Sequence, residues 1–503
     1  MSALPAQFYA GWRQAQRAAA LREAGSGAPP ERLLQAVWAH QRLLRARLVT
    51  TDGRAVRVLH PGFWNRGAGP DFQRAMIQLG ADSPRAGDVE IDLEPSGWRS
   101  HSHESNPAYS NVLLHVVWRG TGRGTPPTLE LERVLDSTQD ELAQWLGAEG
   151  SRATPSAVAG QCSAPLRDLD EPARLALFRQ AAQVRLQSKA AALHARARES
   201  GWEPALLAGL MSTLGYRHNV WPMLHLAEMA PLLRGAGSRV DVELLQARLL
   251  GAAGLLPPEL PRKLPVASEY LRRLWDAWWR ERDALAGVTL PRAAWRFAGL
   301  RPANRPERRL ALAAHWLVER DFAGRVRAWS SAPHADRALV PTLLAILEGG
   351  RDDFWSRHAT LNSGPARKRP RPADAPGPAL HAGPLAAPQP LLGAPRLTDL
   401  AVNVVLPWLW ARAVAERDEP ARAEAERRFH AWPAAEDNSV LKLARQRLLG
   451  GASASGFRTA STQQGLMQIV RDFCDQTDAL CTGCRFPELV RALRPAVAGR
   501  DLF

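Results

Sequence analysis

Lysine is nearly absent from this chain: Lys189, Lys263, Lys368 and Lys442 stand against 61 arginines in 503 residues. None occurs before residue 189. Cysteine is scarce as well. Four residues exclude a disulfide framework in a chain of this length and leave metal ligation or burial as their roles. Long apolar runs are missing. The most apolar stretch, Leu400 to Trp410, is interrupted by Asn403 and Pro407 and is too short to span a bilayer core of about 30 Å. Met1 to Thr50 lacks the apolar segment of a secretory signal. These absences lead us to expect a cytoplasmic protein with no membrane partner. No Walker loop, GxGxxG or GxSxG occurs, so P-loop, dinucleotide and serine-hydrolase chemistry have no support.

What is present is ordinary for a globular protein: 46% apolar and 23% charged residues. That excludes a wholly disordered chain, collagen and coiled-coil fibres. At roughly 100–200 residues per domain the length suggests two to four domains. The net charge of +15 would suit a nucleic-acid partner. However, the arginine excess accompanies abundant Ala, Gly and Pro and reads as a coding bias. Charge alone therefore does not choose between phosphate contact and a solvated basic surface.

Hydrophobic spacing predicts helices over 7–24 and 31–49, the latter with Leu33, Leu34, Val37, Trp38, Leu43 and Leu44 near helical intervals. Residues 51–135 change character. Short β-branched runs at 56–58, 75–79, 88–93, 111–118 and 128–132 alternate with Gly, Pro and Ser turns and predict a sheet. This segment holds nine Arg and ten Asp+Glu, so the basic excess lies elsewhere. From about 168 the pattern is helical almost throughout. Residues 363–396 are rich in Pro and Ala, begin with a basic cluster, and read as a disordered insert. The predicted class is α+β, in five parts: N-terminal helices (1–50), a mixed-sheet domain (51–165), a helical region (166–362), the insert (363–396) and a C-terminal helical region with clustered cysteines (397–503).

Three constellations could carry chemistry. Asp71 lies in Gly69-Pro-Asp-Phe72, between a turn and a strand. Glu90, Asp92 and Glu94 alternate on the strand that follows and would share one face, opposite Val89, Ile91 and Leu93. Such carboxylates can converge on Mg²⁺ or Mn²⁺, which would activate water at a phosphate. The bland alternative is an amphipathic strand with a solvated acidic face. The spacing resembles the PD-(D/E)XK nuclease core, except that Asp92 stands where a lysine is expected. Second, His101 and His103 follow Trp98, with His115 on the next strand and His60 upstream. Imidazoles there could bind a metal, contact phosphate or act as bases. Third, Cys474, Cys481 and Cys484 close the chain. With Cys162 folding back they would make four ligands for Zn²⁺ or an iron–sulfur cluster. The tryptophans of the helical region, Trp202, Trp221, Trp278, Trp279 and Trp295, are expected to pack between helices rather than stack on bases.

His60-Pro-Gly-Phe-Trp-Asn65, Gly69-Pro-Asp-Phe72, Gly87-Asp-Val-Glu-Ile91, Trp98 with His101 and His103, and the run Ala108 to Trp118 resemble an uncharacterised bacterial family, number 2851 of the domains of unknown function. So do Leu214 to Asn219, Leu300 to Pro306, Asn403 to Pro407, Glu436 to Asn438, Gln464 to Gln468 and the four cysteine positions, over roughly 31–485. By that resemblance a His is usual at position 92, a basic residue near 94 and an Asp near 97, so this chain departs at Asp92, Glu94 and Gly97. The resemblance gives more weight to Asp71, Glu90, His101, His103 and His115. The expectation is a nuclease-like, metal-dependent phosphodiesterase acting on DNA or RNA. Its rival is a non-catalytic nucleic-acid-binding or protein-scaffold module with a degenerate nuclease fold. No protein partner can be named from the sequence.

Overall fold

β-branched and aromatic residues alternating between positions 56 and 130 pair into one six-stranded mixed sheet, and almost everything else is helical, so the fold is α+β. The computed structural model describes residues 7–23, 29–65, 69–101, 103–120, 122, 126–139, 141–142, 159–216, 218–235, 240–260, 268–298, 300–361, 388–436, 439–450, 457–474, 481 and 484–493. The chain divides into two compact units, Met1–Ala195 with Leu406–Phe503, and Arg196–Val405.

The first unit holds the sheet. Its strands are β1 (Val56–His60), β2 (Phe63–Trp64), β3 (Phe72–Leu79), β4 (Arg85–Asp92), β5 (Val112–Val117) and β6 (Thr128–Glu130). The order is β1-β3-β4-β5-β6, with β2 pairing on β3. β1, β3 and β4 run antiparallel in turn; β5 and β6 add in parallel. The parallel register sets Glu90 beside His115 and Asp92 beside Val117. The helix Glu31–His40 buries Leu33, Leu34, Val37 and Trp38 against Val58, Phe72, Val89, Ile91 and Val116. It ends at His40 rather than continuing to 49. Gln41 takes a left-handed φ of 46° and closes on Trp38, and Leu43 then bridges to Leu135. Leu43 therefore serves the sheet core and not a helix face. The predicted strands each appear within a few residues of their expected bounds.

A second core of this unit lies among helices. Tyr9, Leu166, Phe178, Leu448, Leu466, Ile469, Phe473 and Phe486 pack together. Tyr9 Oη donates to Asp472 Oδ2 at 2.8 Å and Arg13 Nε to Oδ1 at 2.9 Å, so one buried carboxylate ties the helix Phe8–Glu23 to Ala460–Asp472.

In the second unit, Trp202–Leu214 packs on Val220–Glu228, and Val242–Ala252 on Ser268–Glu281 and Pro306–Val318. Trp278 sits on Gly251, where any Cβ would lie 2.0 Å from its ring. Trp221 and Trp295 are core residues, as expected. Trp279 is 43% exposed, stacked on Trp275 with Arg282 over its ring. Arg308 is fully buried, donating to the carbonyls of Trp355, Gln389 and Pro390. The expected insert over 363–396 lies outside the described residues as far as position 387; Ala394–Leu400 is helical. The apolar run near 400 belongs to a longer helix than its sequence suggested. Ala394–Glu416, 23 residues, is long and apolar enough to cross a membrane by length and composition, yet 72% of its most apolar window is buried inside the protein. A π-helical turn at Ala401–Val405 precedes Pro407, which lets the helix run on past a residue with no N–H.

Candidate metal centre

Three backbone pieces of the first unit meet at the carboxyl end of β4. Asp71, immediately before β3, is held from both sides. Its N–H donates to Glu90 Oε2 at 3.0 Å, and its own Oδ2 accepts from the Ile91 N–H at 3.2 Å. Gln35 Nε2 donates to Asp71 Oδ1 at 2.9 Å and to Glu31 Oε1 at 3.0 Å, which brings the helix Glu31–His40 into the site. Asp71 and Glu90 therefore do converge. Glu90 and Asp92 are buried, so the solvated acidic face is not what these residues form. Glu94 leaves the pattern. The strand stops at Asp92, and Glu94 is exposed in a turn, accepting from Ser96.

Beyond β4 the one-turn helix Gly97–Ser100 and the 3-10 turn His103–Ser105 fold over the strand end. Asp92 then divides its oxygens between two imidazoles. Oδ1 lies 3.2 Å from His101 Nδ1, and Oδ2 lies 2.9 Å from His115 Nε2. His103 Nε2 approaches Glu90 Oε1 at 3.2 Å but off the line of a hydrogen bond, so both ring nitrogens of this buried histidine remain unsatisfied. Its ring stacks on Tyr109 at 3.9 Å, with Trp98 against its edge at 5.4 Å. One ligand atom each from Asp92, His101 and His103 lies within 4.8 Å of the others. Gly97 makes room for this. A Cβ there would lie 2.5 Å from Asp92 Cγ and Oδ1.

The electrostatics are those of carboxylates crowded together and withdrawn from water. Burial raises the Asp71 carboxyl above its usual range, and Glu31 and Asp92 add to this against the hydrogen bond from Gln35. Burial also raises Glu90, followed by repulsion from Asp71. Glu31 is raised by burial and then by Asp92. Burial lowers His103, favouring the neutral imidazole that ligates metals. A divalent ion would offset the repulsion among these carboxylates. Two imidazoles and a carboxylate suit Mn²⁺, Fe²⁺ or Zn²⁺ better than Mg²⁺, which prefers oxygen alone. His101 is 55% exposed and leaves the cluster open to solvent. A cleft of about 600 Å³ begins at His103, Trp98 and Tyr109 and is also lined by Arg54 and Arg85.

Of the other residues singled out in the sequence, His115 joins the cluster through Asp92, while His60 is held in its own turn. His60 Nδ1 accepts from the Gly62 N–H at 2.9 Å, and burial pushes the ring down to about 3. Glu31, Gln35 and Tyr109 escape sequence reasoning. A Glu and a Gln one turn apart on an amphipathic helix, or a Tyr in a Pro-Ala-Tyr loop, carry no functional signal. Only the fold sets them against Asp71 and His103. No curated protein and no solved structure matches the chain. The model of one family, described as a protein of unknown function (DUF2851), matches residues 31–373, about two thirds of the chain, and the protein belongs to that family.

Proposed function

We propose that the first unit is a metal-dependent, nuclease-like phosphodiesterase acting on DNA or RNA. The observation that carries this reading is the trio Asp92, His101 and His103 at ligand spacing, with His103 buried and its ring nitrogens unsatisfied. Asp71 and Glu90 supply the acidic pair beside it. The donor set favours Mn²⁺ over Mg²⁺. In this reading the ion, when bound, lowers the pKa of a coordinated water and offsets charge at the phosphate. Asp92 stands where a PD-(D/E)XK site has its lysine, so in this reading His101 or His103 takes over the positioning of the phosphate or the water. Arg85 and Arg54, the latter also paired with Asp52, line the adjoining cleft and suit a polyanionic substrate.

The test is cleavage of single- and double-stranded DNA and RNA with Mn²⁺ or Mg²⁺. The reading expects Mn²⁺-dependent hydrolysis, lowered at least about 100-fold in Asp92→Asn and in Glu90→Gln. Equal cleavage by the variants would point to a contaminant and defeat it. One observation favours the rival. No lysine lies in residues 1–188 to complete the usual nuclease set. Salt-sensitive nucleic-acid binding without cleavage under any metal would therefore identify a binding module.

A further inference from the structure

The four cysteines of the chain, which the acidic site does not use, come to one place in the first unit. Cys162 precedes the helix Ser163–Arg167, which packs on Ser439–Leu449 and on Phe486–Ala492. The Gly160 N–H donates to the Arg447 carbonyl at 2.7 Å and fixes this approach. Cys162 and Cys474 share one buried cluster, and Cys484 packs against it. Cys481 is buried too, in a left-handed conformation at φ 62°, and its carbonyl accepts from the Cys484 N–H at 3.1 Å. The thiol of Cys162 feels those of Cys474, Cys484 and Cys481 after burial itself. The buried guanidinium of Arg447 donates to Cys481 Sγ at 2.9 Å.

Four thiols from distant parts of the sequence gather in one buried place, with a guanidinium donating to one of them. A thiolate set around a metal would carry net negative charge, which suits that guanidinium as one of its contacts. We infer that Cys162, Cys474, Cys481 and Cys484 form a tetrathiolate centre for a thiophilic metal, a zinc ion or an iron–sulfur cluster. Ligation releases the thiol protons to solvent as four sulfur–metal bonds form. Among the described residues the trio at ligand spacing is the Asp–His one, so binding a metal requires the four sulfurs to draw closer. The centre ties the segment after the sheet to the C-terminal helices and does not depend on the acidic site.

The full chain, purified without oxygen, is assayed for zinc, iron and acid-labile sulfide, and its visible spectrum is recorded. Read alongside Asp92→Asn, which takes away the acidic site's own claim on zinc or iron, the account expects about one zinc ion per chain with no visible band, or iron with sulfide and a broad visible band. Either metal falls at least about tenfold in Cys484→Ser, chosen because Cys484 is only partly buried, and survives Asp92→Asn. A readout on the unaltered protein covers misfolding of the variant. Titration with a mercurial should release the metal in step with capture of about four thiols. Metal retained after the thiols are captured, or a folded chain that takes up neither zinc nor iron under reducing conditions, would overturn the inference.

Discussion

Asp92 shows how much one residue's surroundings decide. As a letter in the sequence it is a departure, an acid where a lysine or a histidine is expected. In the fold it bonds His115 and faces His101, with no side chain at Gly97 to crowd it. Gly97→Ala should therefore displace the carboxylate and weaken Mn²⁺ binding by about tenfold or more while leaving the fold intact, checked by isothermal titration and circular dichroism. Unchanged affinity would show that Asp92 is not a ligand. A second residue, His430, gives a pH signature without being a candidate ligand itself. His430 lies between Ser461 Oγ at 2.7 Å and Gln183 Oε1 at 3.3 Å, and burial, aided by Arg179, pushes it down to about 4. The folded state thus favours the neutral ring. Its contribution is complete above about pH 6.5 and is lost as pH falls toward about 4, at up to about 1.4 kcal/mol per pH unit. His430→Gln should flatten that part of the acid loss, seen as urea midpoints between pH 7 and pH 4.5. An unaltered slope would mean that other groups govern it.

At the scale of elements, period-two alternation made the strands legible. Val89 and Ile91 pack the core while Glu90 and Asp92 look away from it, as the sequence implied. What it could not show was where alternation stops. Glu94 follows the pattern in sequence, but the chain turns after Asp92 to start the helix at Gly97. Nor could it tell a helical leucine from a bridging one, so Leu43 appeared to extend a helix that Gln41 ends. The convergence of Asp71 with Glu90 was readable only as a possibility of spacing. Gln35, which clamps Asp71 from another element, was not readable at all. Close approaches between elements were equally hidden. Gly465 lets Ala460–Asp472 lie on the backbone of Glu171–Ser200, where a Cβ would sit 2.1 Å from the Phe178 carbonyl oxygen. Gly465→Ala should cost about 1–3 kcal/mol, read as a lowered urea midpoint with the m-value unchanged. No loss would mean that the two helices part without penalty.

For the molecule as a whole, composition set the class and little more. The α+β reading followed from the change in periodicity near residues 51 and 135, and family membership rests on the match over residues 31–373. A polyanionic partner would give the charge of +15 a use. Affinity for a long single strand should then fall steeply between 50 and 200 mM salt, by about tenfold or more. Salt-independent affinity would remove nucleic acid as the partner. The most direct test of the account is uptake of Mn²⁺ by the full chain, followed through the electron paramagnetic resonance of the free ion, with Asp92→Asn alongside. The account predicts one saturable site in the wild type that Asp92→Asn loses while staying folded. Equal uptake by both proteins, or none by a folded wild type, would contradict it.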